Sequence, residues 1–492
     1  MFNIISPEKA GISSKYVLKF IKTLERRGLA MHSVLMMRGE DIFAEYYWKP
    51  FHKDFCHRMY SQTKSFVGIA IGLLEQDGAL NLDDEICKHF PEKIDTEIPS
   101  FLQQLTIKQM LLMETCGCSP LWFYDDDPDR THLYLNRNSA NHPAETLWEY
   151  DSPASQVLST LVEKLSKKSL FDFLNERIFK KLGTFKTASI LKTKTDDSFG
   201  DSAMLCTTRD IASFARFVMN KGLWNGEKIL NEDYINTATS RLADNGVTGF
   251  SGAYTNGYGY QIWRVENGFS FNGMGCQLTI CIPDKDFIFA CTADNQGYAA
   301  AKDLILTALY EIILDNLGDT ALEENAELLS ECNKLQESLQ LVYLKGNAVS
   351  PFADKFIGKT YECAENECGI SRFRIDSTSL DEGVLSFTNA QGDKKLPFGI
   401  CKNVFTKFPQ YGYSTDHAGL KNENGYLYNC AVSAVWAEEE KLQIKVQIID
   451  DYLGNLLMTF CFKDDICYIS MIKNAEAFLD EYQGRILAKR QA

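Results

Sequence analysis

Residues 59–74 read Met-Tyr-Ser-Gln-Thr-Lys-Ser-Phe-Val-Gly-Ile-Ala-Ile-Gly-Leu-Leu, and no other stretch restricts the fold as strongly. Phe66, Val67, Ile69, Ala70, Ile71, Leu73 and Leu74 are apolar on nearly every side of a helix, which is the pattern of a helix inside a core rather than on a surface. Gly68 and Gly72 leave room for neighbouring elements to approach closely, and Gly78 is positioned to end the helix as a left-handed cap. A serine, Ser61, stands at the mouth of this rod with Lys64 three positions on. Residues i and i+3 of a helix are near neighbours. An amine buried there can take the proton of Ser61, because desolvation disfavours the charged ammonium. The expectation is a hydroxyl and an amine held at one end of a rigid, desolvated helix.

The same spacing occurs at Ser189…Lys192 and Ser470…Lys473. The first runs into the polar Thr193-Lys194-Thr195-Asp196-Asp197, with no apolar helix behind it. The second lies in an alternating, strand-like run, where an odd spacing sends side chains to opposite faces. Only Ser61 has a buried helix after it.

A chain of 492 residues exceeds what one core usually supports, so two domains are expected. A formal net charge of −15 and the absence of a Lys/Arg block argue against nucleic acid or an anionic membrane as partner. The N-terminal residues lack a basic segment followed by an apolar one, and no run of about 18 apolar residues occurs, so neither a secretory signal nor a membrane span is expected. The 15 cysteines are scattered, several of them (Cys281, Cys291, Cys461) inside apolar runs. Cys116-x-Cys118 is the one close pair, and no CxxC or HExxH occurs. No metal, no cofactor and a reduced, cytoplasmic setting are therefore expected.

Along the chain, residues 7–29 are expected as a helix opened by Ser6-Pro7-Glu8. Two strands follow, 33–37 and 41–47, joined by a turn at Arg38-Gly39-Glu40. Thr106 caps a helix beginning at Ile107. Residues 116–141 read as a long irregular loop carrying Trp122, Phe123, Tyr124 and Tyr134 and the acidic run 125–127, a composition suited to covering a site. Helices are expected over 153–179, 202–221 and about 298–314, and strands over 257–263, 273–282 and 287–291. Strands thus open and close the region while helices fill its middle, which predicts one antiparallel sheet with a helical insertion beside it and a site in the cleft between. Residues 319–345 read as a charged helical linker. Residues 346–492 alternate strictly in several runs with turn signals such as Gln391-Gly392-Asp393 and Asn424-Gly425, which predicts a small antiparallel barrel, more naturally packed than hollow. The expected division is 1–318, 319–345 and 346–492.

A serine–lysine nucleophile needs a proton shuttle and donors for an oxyanion. Tyr150 stands just before a helix, with Ser152 two residues on, and a nearby cation such as Lys64 would make its phenol a better base. Phe271-Asn272-Gly273-Met274-Gly275 supplies glycines where a backbone N–H can approach a substrate carbonyl. In this order the pieces resemble the serine β-lactamase-related hydrolases, which include class C β-lactamases, D-alanyl-D-alanine carboxypeptidases, D-aminopeptidases and esterases of the same fold. The resemblance covers roughly residues 5–315. It rests on Ser61-Gln62-Thr63-Lys64, on Tyr150-Asp151-Ser152 where the family has Tyr-x-Asn or Tyr-x-Ser, and on Phe271-Asn272-Gly273 where many members have Lys-Thr-Gly or His-x-Gly. The stretches Leu80–Asp84, Leu182-Gly183, Ala203–Phe217 and Gly257–Gly259 support it.

The resemblance implies an α+β, β-lactamase/transpeptidase-like domain followed by a barrel-like accessory. It implies Ser61 as acylated nucleophile, Lys64 as its proton acceptor and Tyr150 as general acid or base. The backbone N–H groups of Ser61 and Met274 would form the oxyanion hole, with Ser152, Asn272 and Gly273 binding substrate. Phe271 departs from the pattern, standing where a cation would meet a carboxylate, so efficient β-lactam turnover is not expected; Arg264 is the nearest candidate to supply a charge. The expected function is a serine hydrolase acting on a small ester or amide, D-amino-acid or peptide-like ones included. The alternative is a catalytically silent protein of the same fold that binds a small molecule or short peptide. Oligomeric state is not legible.

Overall fold

The computed structural model describes residues 2–95, 97–117, 125–246, 256–411, 420–421, 426–475 and 478–491. It divides into two units, Met1–Gln340 with Gly419–Lys421, and Leu341–Ala418 with Asn422–Ala492.

The first unit opens with β1 (Asn3–Ile4), α1 (Ser14–Arg26), β2 (Met31–Arg38) and β3 (Asp41–Tyr47). The helix expected from residue 7 begins seven residues later. The Glu8 carboxylate folds back to accept from the Ser14 backbone N–H (2.7 Å) and hydroxyl (2.9 Å), so Glu8 serves the helix end from outside it. Helices α2 (Thr63–Gln76), α3 (Ile107–Leu112), α4 (Arg130–Arg137), α5 (Ser152–Ser166) and α6 (Thr208–Met219) form most of the insertion. The chain then returns through β4 (Trp263–Val265), β5 (Gly268–Gly273), β6 (Gln277–Ile282) and β7 (Phe287–Ala293), and α7 (Ala301–Ala308) and α8 (Ala326–Ser338) follow. The sheet order is β1-β3-β2-β7-β6-β5-β4, so strands from both ends of the unit make one sheet, antiparallel except where β1 joins β3.

Alternation along the strands builds two cores. Leu35, Met37, Ile42, Phe269, Phe271, Ile288 and Ala290 face α2, α5 and α6. Val34, Met36, Phe43, Leu278, Ile280, Phe287 and Phe289 face α1 and α7. Every residue of α2 from Thr63 to Leu74 is buried, as the all-round apolar pattern predicts. Gly78 has φ +69° and follows the helix end. The helix expected over 153–179 breaks at Lys167 (φ +58°), and the one expected from 202 starts at 208, where Thr207 and Asp210 form a reciprocal capping box. Residues 204–206 instead form a short strand paired with His57-Arg58. Part of the expected loop is α4, capped by Asp129; Cys118, Trp122, Phe123 and Tyr124 lie outside the described residues. The strand expected over 257–263 starts only at Trp263. Gln261 adopts φ +58°, and its side-chain nitrogen donates to Met110 O and Leu111 O (both 3.0 Å) while its oxygen accepts from Ser155 Oγ (2.6 Å). That segment thus ties α3 to α5 instead of extending the sheet.

In the second unit, nine strands close into a barrel, antiparallel except for the closing contact, where Gly392–Ile400 runs parallel to Asn429–Glu438. Its interior is packed around Phe373 and Phe460, whereas Ile375, Phe398, Trp436 and Leu442 line a cavity of about 320 Å³. The void among Phe373, Phe387, Met458, Phe460, Ile469 and Tyr482 is about 10 Å³, no more than one water needs. The Asn424-Gly425 turn signal lies outside the described residues. Among the described residues, no helix is long and apolar enough to cross a membrane, and no group of three His, Cys, Asp or Glu side chains is placed to hold a metal ion.

Candidate active site

The site begins in the backbone before Ser61. Tyr60 has φ +46°, a left-handed conformation that residues with side chains rarely adopt, at a cost the surroundings must offset. They do so from several sides. Met59 N–H donates to Met204 O (2.8 Å), Thr63 Oγ1 donates to Tyr60 O (2.6 Å) and accepts from Met204 N–H (3.0 Å), and Gln62 accepts from Thr279 Oγ1 (2.8 Å). The turn Tyr60–Gln62 therefore sits on the 204–206 strand and on β6, and α2 departs from it.

This geometry leaves Ser61 half-buried and Lys64 fully buried. Lys64 Nζ lies 3.1 Å from Ser61 Oγ and donates to Asp201 O (2.7 Å). It also lies 5.2 Å from the centre of the Tyr150 ring, which stacks on Trp263 at 5.5 Å. Ser189, Lys192, Ser470 and Lys473 all occupy strands.

Ser61 and Tyr150 open onto a cavity of about 490 Å³, together with Trp263, Asn272, Gly273, Met274, Gly275, Cys276, Asn295, Gly297, Tyr298, Ala299 and Lys302. Gly273 ends β5 rather than heading a strand, and a Cβ there would overlap Met59 O, so only glycine lets the Gly273–Met274 peptide approach the Ser61 turn. Gln277 fixes the following peptide, Met274–Gly275. Its side-chain nitrogen donates to Met274 O (2.8 Å) and Ala293 O (2.6 Å), and its oxygen accepts from Ala293 N–H (3.0 Å).

Ser152 is not among the residues lining the cavity; it takes the first position of α5. Its neighbour Asp151 is fully buried as the helix cap, accepting from Ala154 N–H (3.0 Å), Thr115 Oγ1 (3.2 Å) and Tyr134 Oη (3.3 Å). Burial pushes the Asp151 carboxyl up to about 6.

The third motif needs correcting. Phe271 is completely buried against Phe214 and Phe269 on the α6 side of the sheet, so it does not occupy the cavity. Arg264 donates to Thr239 O (2.6 Å) and is also absent from the lining. The basic side chain in the cavity is Lys302 of α7, which sequence reasoning missed because nothing in Ala301–Ala308 marks it as more than one polar position on a packing helix. With the Asn272 amide oriented by its neighbours, its oxygen accepts from Lys302 Nζ (2.9 Å) and its nitrogen donates to Ser270 Oγ and Phe271 O (both 3.2 Å). Burial holds the Lys302 amine well below the ordinary lysine range.

Parts of the chain are similar to known proteins. A 6-aminohexanoate-dimer hydrolase of Paenarthrobacter ureafaciens is 25% identical over 251 residues, 47% of this chain and 64% of that enzyme, so the match spans less than two thirds of the relative. Protein flp of Staphylococcus aureus is 29% identical over 130 residues, 25% of this chain and 26% of that protein. Among solved structures, one from Bacillus anthracis named after the 6-aminohexanoate-dimer hydrolases superposes with TM-score 0.53 at 18% identity, covering 64% of this chain and 86% of that one. A penicillin-binding protein homologue from Caulobacter crescentus superposes with TM-score 0.51 at 14% identity, covering 62% and 99%. The Beta-lactamase family model matches residues 19–310, more than half of the chain, and with the sheet, the helical insertion and the Ser61 turn described above the chain belongs to that family.

Proposed function

We propose that this protein is a serine hydrolase that forms an acyl-enzyme on a small ester or amide. The observation that carries the reading is the 3.1 Å separation of Ser61 Oγ and Lys64 Nζ at the edge of a cavity large enough for a small molecule. Ser61 Oγ bonds to the substrate carbonyl carbon while its proton passes to Lys64 Nζ. The oxygen of the tetrahedral intermediate lies against the backbone N–H groups of Ser61 and Met274, where preorganised donors act on developing charge. The bond to the leaving group breaks as a proton reaches that group through Tyr150. Water then attacks the ester of Ser61, giving its proton back along the same route, and the acid leaves. The Paenarthrobacter relative is named for hydrolysing a 6-aminohexanoate dimer, which favours hydrolysis as the chemistry of this site too.

A panel of 4-nitrophenyl esters and D- and L-amino acid 4-nitroanilides, assayed with the full chain and with Ser61→Ala, tests the reading. Hydrolysis of at least one compound, lost by at least a thousandfold in Ser61→Ala, is expected. No turnover on any compound, or turnover that survives the substitution, contradicts it.

A further inference from the structure

We propose that the second unit binds, at one end of its barrel, small molecules that join an apolar body to an ammonium group. The site is a cavity within that unit, and the proposal does not depend on the hydrolase reading of Ser61.

Side chains alternate along a strand, so every second residue of each strand fills a barrel. Around Phe373 and Phe460 that filling is complete, but two residues on from Phe373, at Ile375, it stops. A cavity of about 320 Å³ opens there, walled by Ile357, Ile375, Phe398, Ile400, Trp436 and Leu442. Ile375 lies near the end of strand Arg372–Ser377, and Phe398 and Ile400 lie at the end of Gly392–Ile400. Trp436 lies near the end of Asn429–Glu438, and Leu442 near the start of Lys441–Ile449. The pairing of these strands brings all four places to one end of the barrel. Residues 347–357 lie across that end. Asn347 O accepts from Trp436 N–H (3.0 Å), and Ser350 Oγ donates to Glu439 O, so the segment is tied to the strands it crosses.

The walls and the mouth differ in chemistry. Ile375, Phe398, Trp436 and Leu442 are buried, so an apolar body placed against them leaves water. Leu380, 98% exposed, and Val349, 75% exposed, stand at the mouth, where an occupant would cover apolar surface that the chain leaves to water. The charged side chains of the described lining are Asp354, Asp376 and Glu382, all carboxylates. Arg374 pairs with Asp376 (2.7 Å) and Lys402 with Glu382 (2.8 Å), but both bases lie outside the lining. Both pairs are open to solvent, where an ion pair contributes little, so they do not hold the carboxylates from a ligand. An ammonium at the mouth meets opposite charge there, whereas a carboxylate head group meets like charge. Charge thus selects the head group and the buried wall selects the body.

Equilibrium dialysis of radiolabelled octylammonium, octanoate and octanol against the full chain tests this, at low ionic strength and below the concentrations at which the probes aggregate. Saturable binding of octylammonium is expected, about tenfold tighter than that of octanoate and tighter than that of octanol. Ile357→Lys puts an amine into the half-buried wall and should weaken octylammonium binding about tenfold. Asp354→Lys changes an exposed side chain at the mouth; it should weaken octylammonium, strengthen octanoate and leave octanol within about twofold. No saturable binding of octylammonium, or octanoate bound as tightly, overturns the proposal. So does octylammonium binding that is equal in the wild type and in either folded variant, since the amine would then sit elsewhere on the chain. Should Ile357→Lys not fold, the ranking of the three probes and Asp354→Lys decide. Dialysis needs no turnover, so its outcome stands whether or not Ser61 proves to be a nucleophile.

Discussion

Lys64 meets both other side chains of the proposed proton route, Ser61 Oγ at 3.1 Å and the face of Tyr150, and donates to Asp201 O at 2.7 Å. Groups that share one proton act as a unit, so their losses do not add. Lys64→Ala and Tyr150→Phe are each expected to remove most of the aryl esterase activity, at least a hundredfold, and the double variant to lose little more. Fully additive losses, or an unaffected Tyr150→Phe, would contradict this. A second prediction concerns His57, four residues before Ser61. It is buried, with Nε2 2.8 Å from His32 Nδ1 and Nδ1 2.9 Å from Arg58 O, and burial lowers its pKa from 6.5 to about 4. Between those values the unfolded chain binds a proton that the folded chain does not. Stability from this group is therefore complete above pH 6.5 and is lost as pH falls toward 4, by about 2 kcal/mol between pH 7 and pH 5. Asp151, raised to about 6, opposes it, since its folded form gains a proton over the same interval, worth about 1 kcal/mol. Denaturant titrations at the two pH values should show His57→Gln losing less stability on acidification than the wild type. Equal losses would mean that His57 does not titrate as its burial implies.

At the scale of the element, α2 sets the position of the site, and its glycines are fixed by neighbours rather than by the helix. A Cβ on Gly72 would overlap the Tyr234 ring, whose hydroxyl donates to Gly68 O (2.6 Å). Alanine in place of glycine favours a helix by about 1 kcal/mol, but overpacking costs about 1–3 kcal/mol. Gly72→Ala is thus expected to lower the thermal midpoint despite its better propensity, and a raised midpoint would show that Tyr234 yields. The legible parts of this unit were those with a local cause. The apolar pattern fixes α2, Thr106 caps α3 as expected, with Gln109 completing a capping box, and Arg38-Gly39-Glu40 turns β2 into β3. The start of α6 was misjudged although Thr207-x-x-Asp210 marks it, because the apolar residues 203–206 continue the helical texture while pairing as a strand. The acidic run masked α4, whose cap, Asp129, belongs to the same cluster.

For the molecule as a whole, texture alone separated the sheet-and-helix unit from the barrel, since the two use different periods of hydrophobicity. The clustering of Ser61, Lys64 and Tyr150 was also legible, each residue from its setting in the chain. Lys302, Gln277 and Asp201 were not. Lys302 depends on α7 crossing Asn272, Gln277 on two backbone carbonyls 19 residues apart in sequence, and Asp201 on a carbonyl that any residue could supply. Such contacts are products of the assembled sheet and leave no local pattern. The central claim is that one serine of this chain is an activated nucleophile, and labelling of the full chain with a fluorophosphonate, read by intact mass and peptide mapping, tests it most directly. The account predicts a single adduct on Ser61 that is absent in Ser61→Ala; an adduct on any other residue, or labelling that survives the substitution, would contradict it.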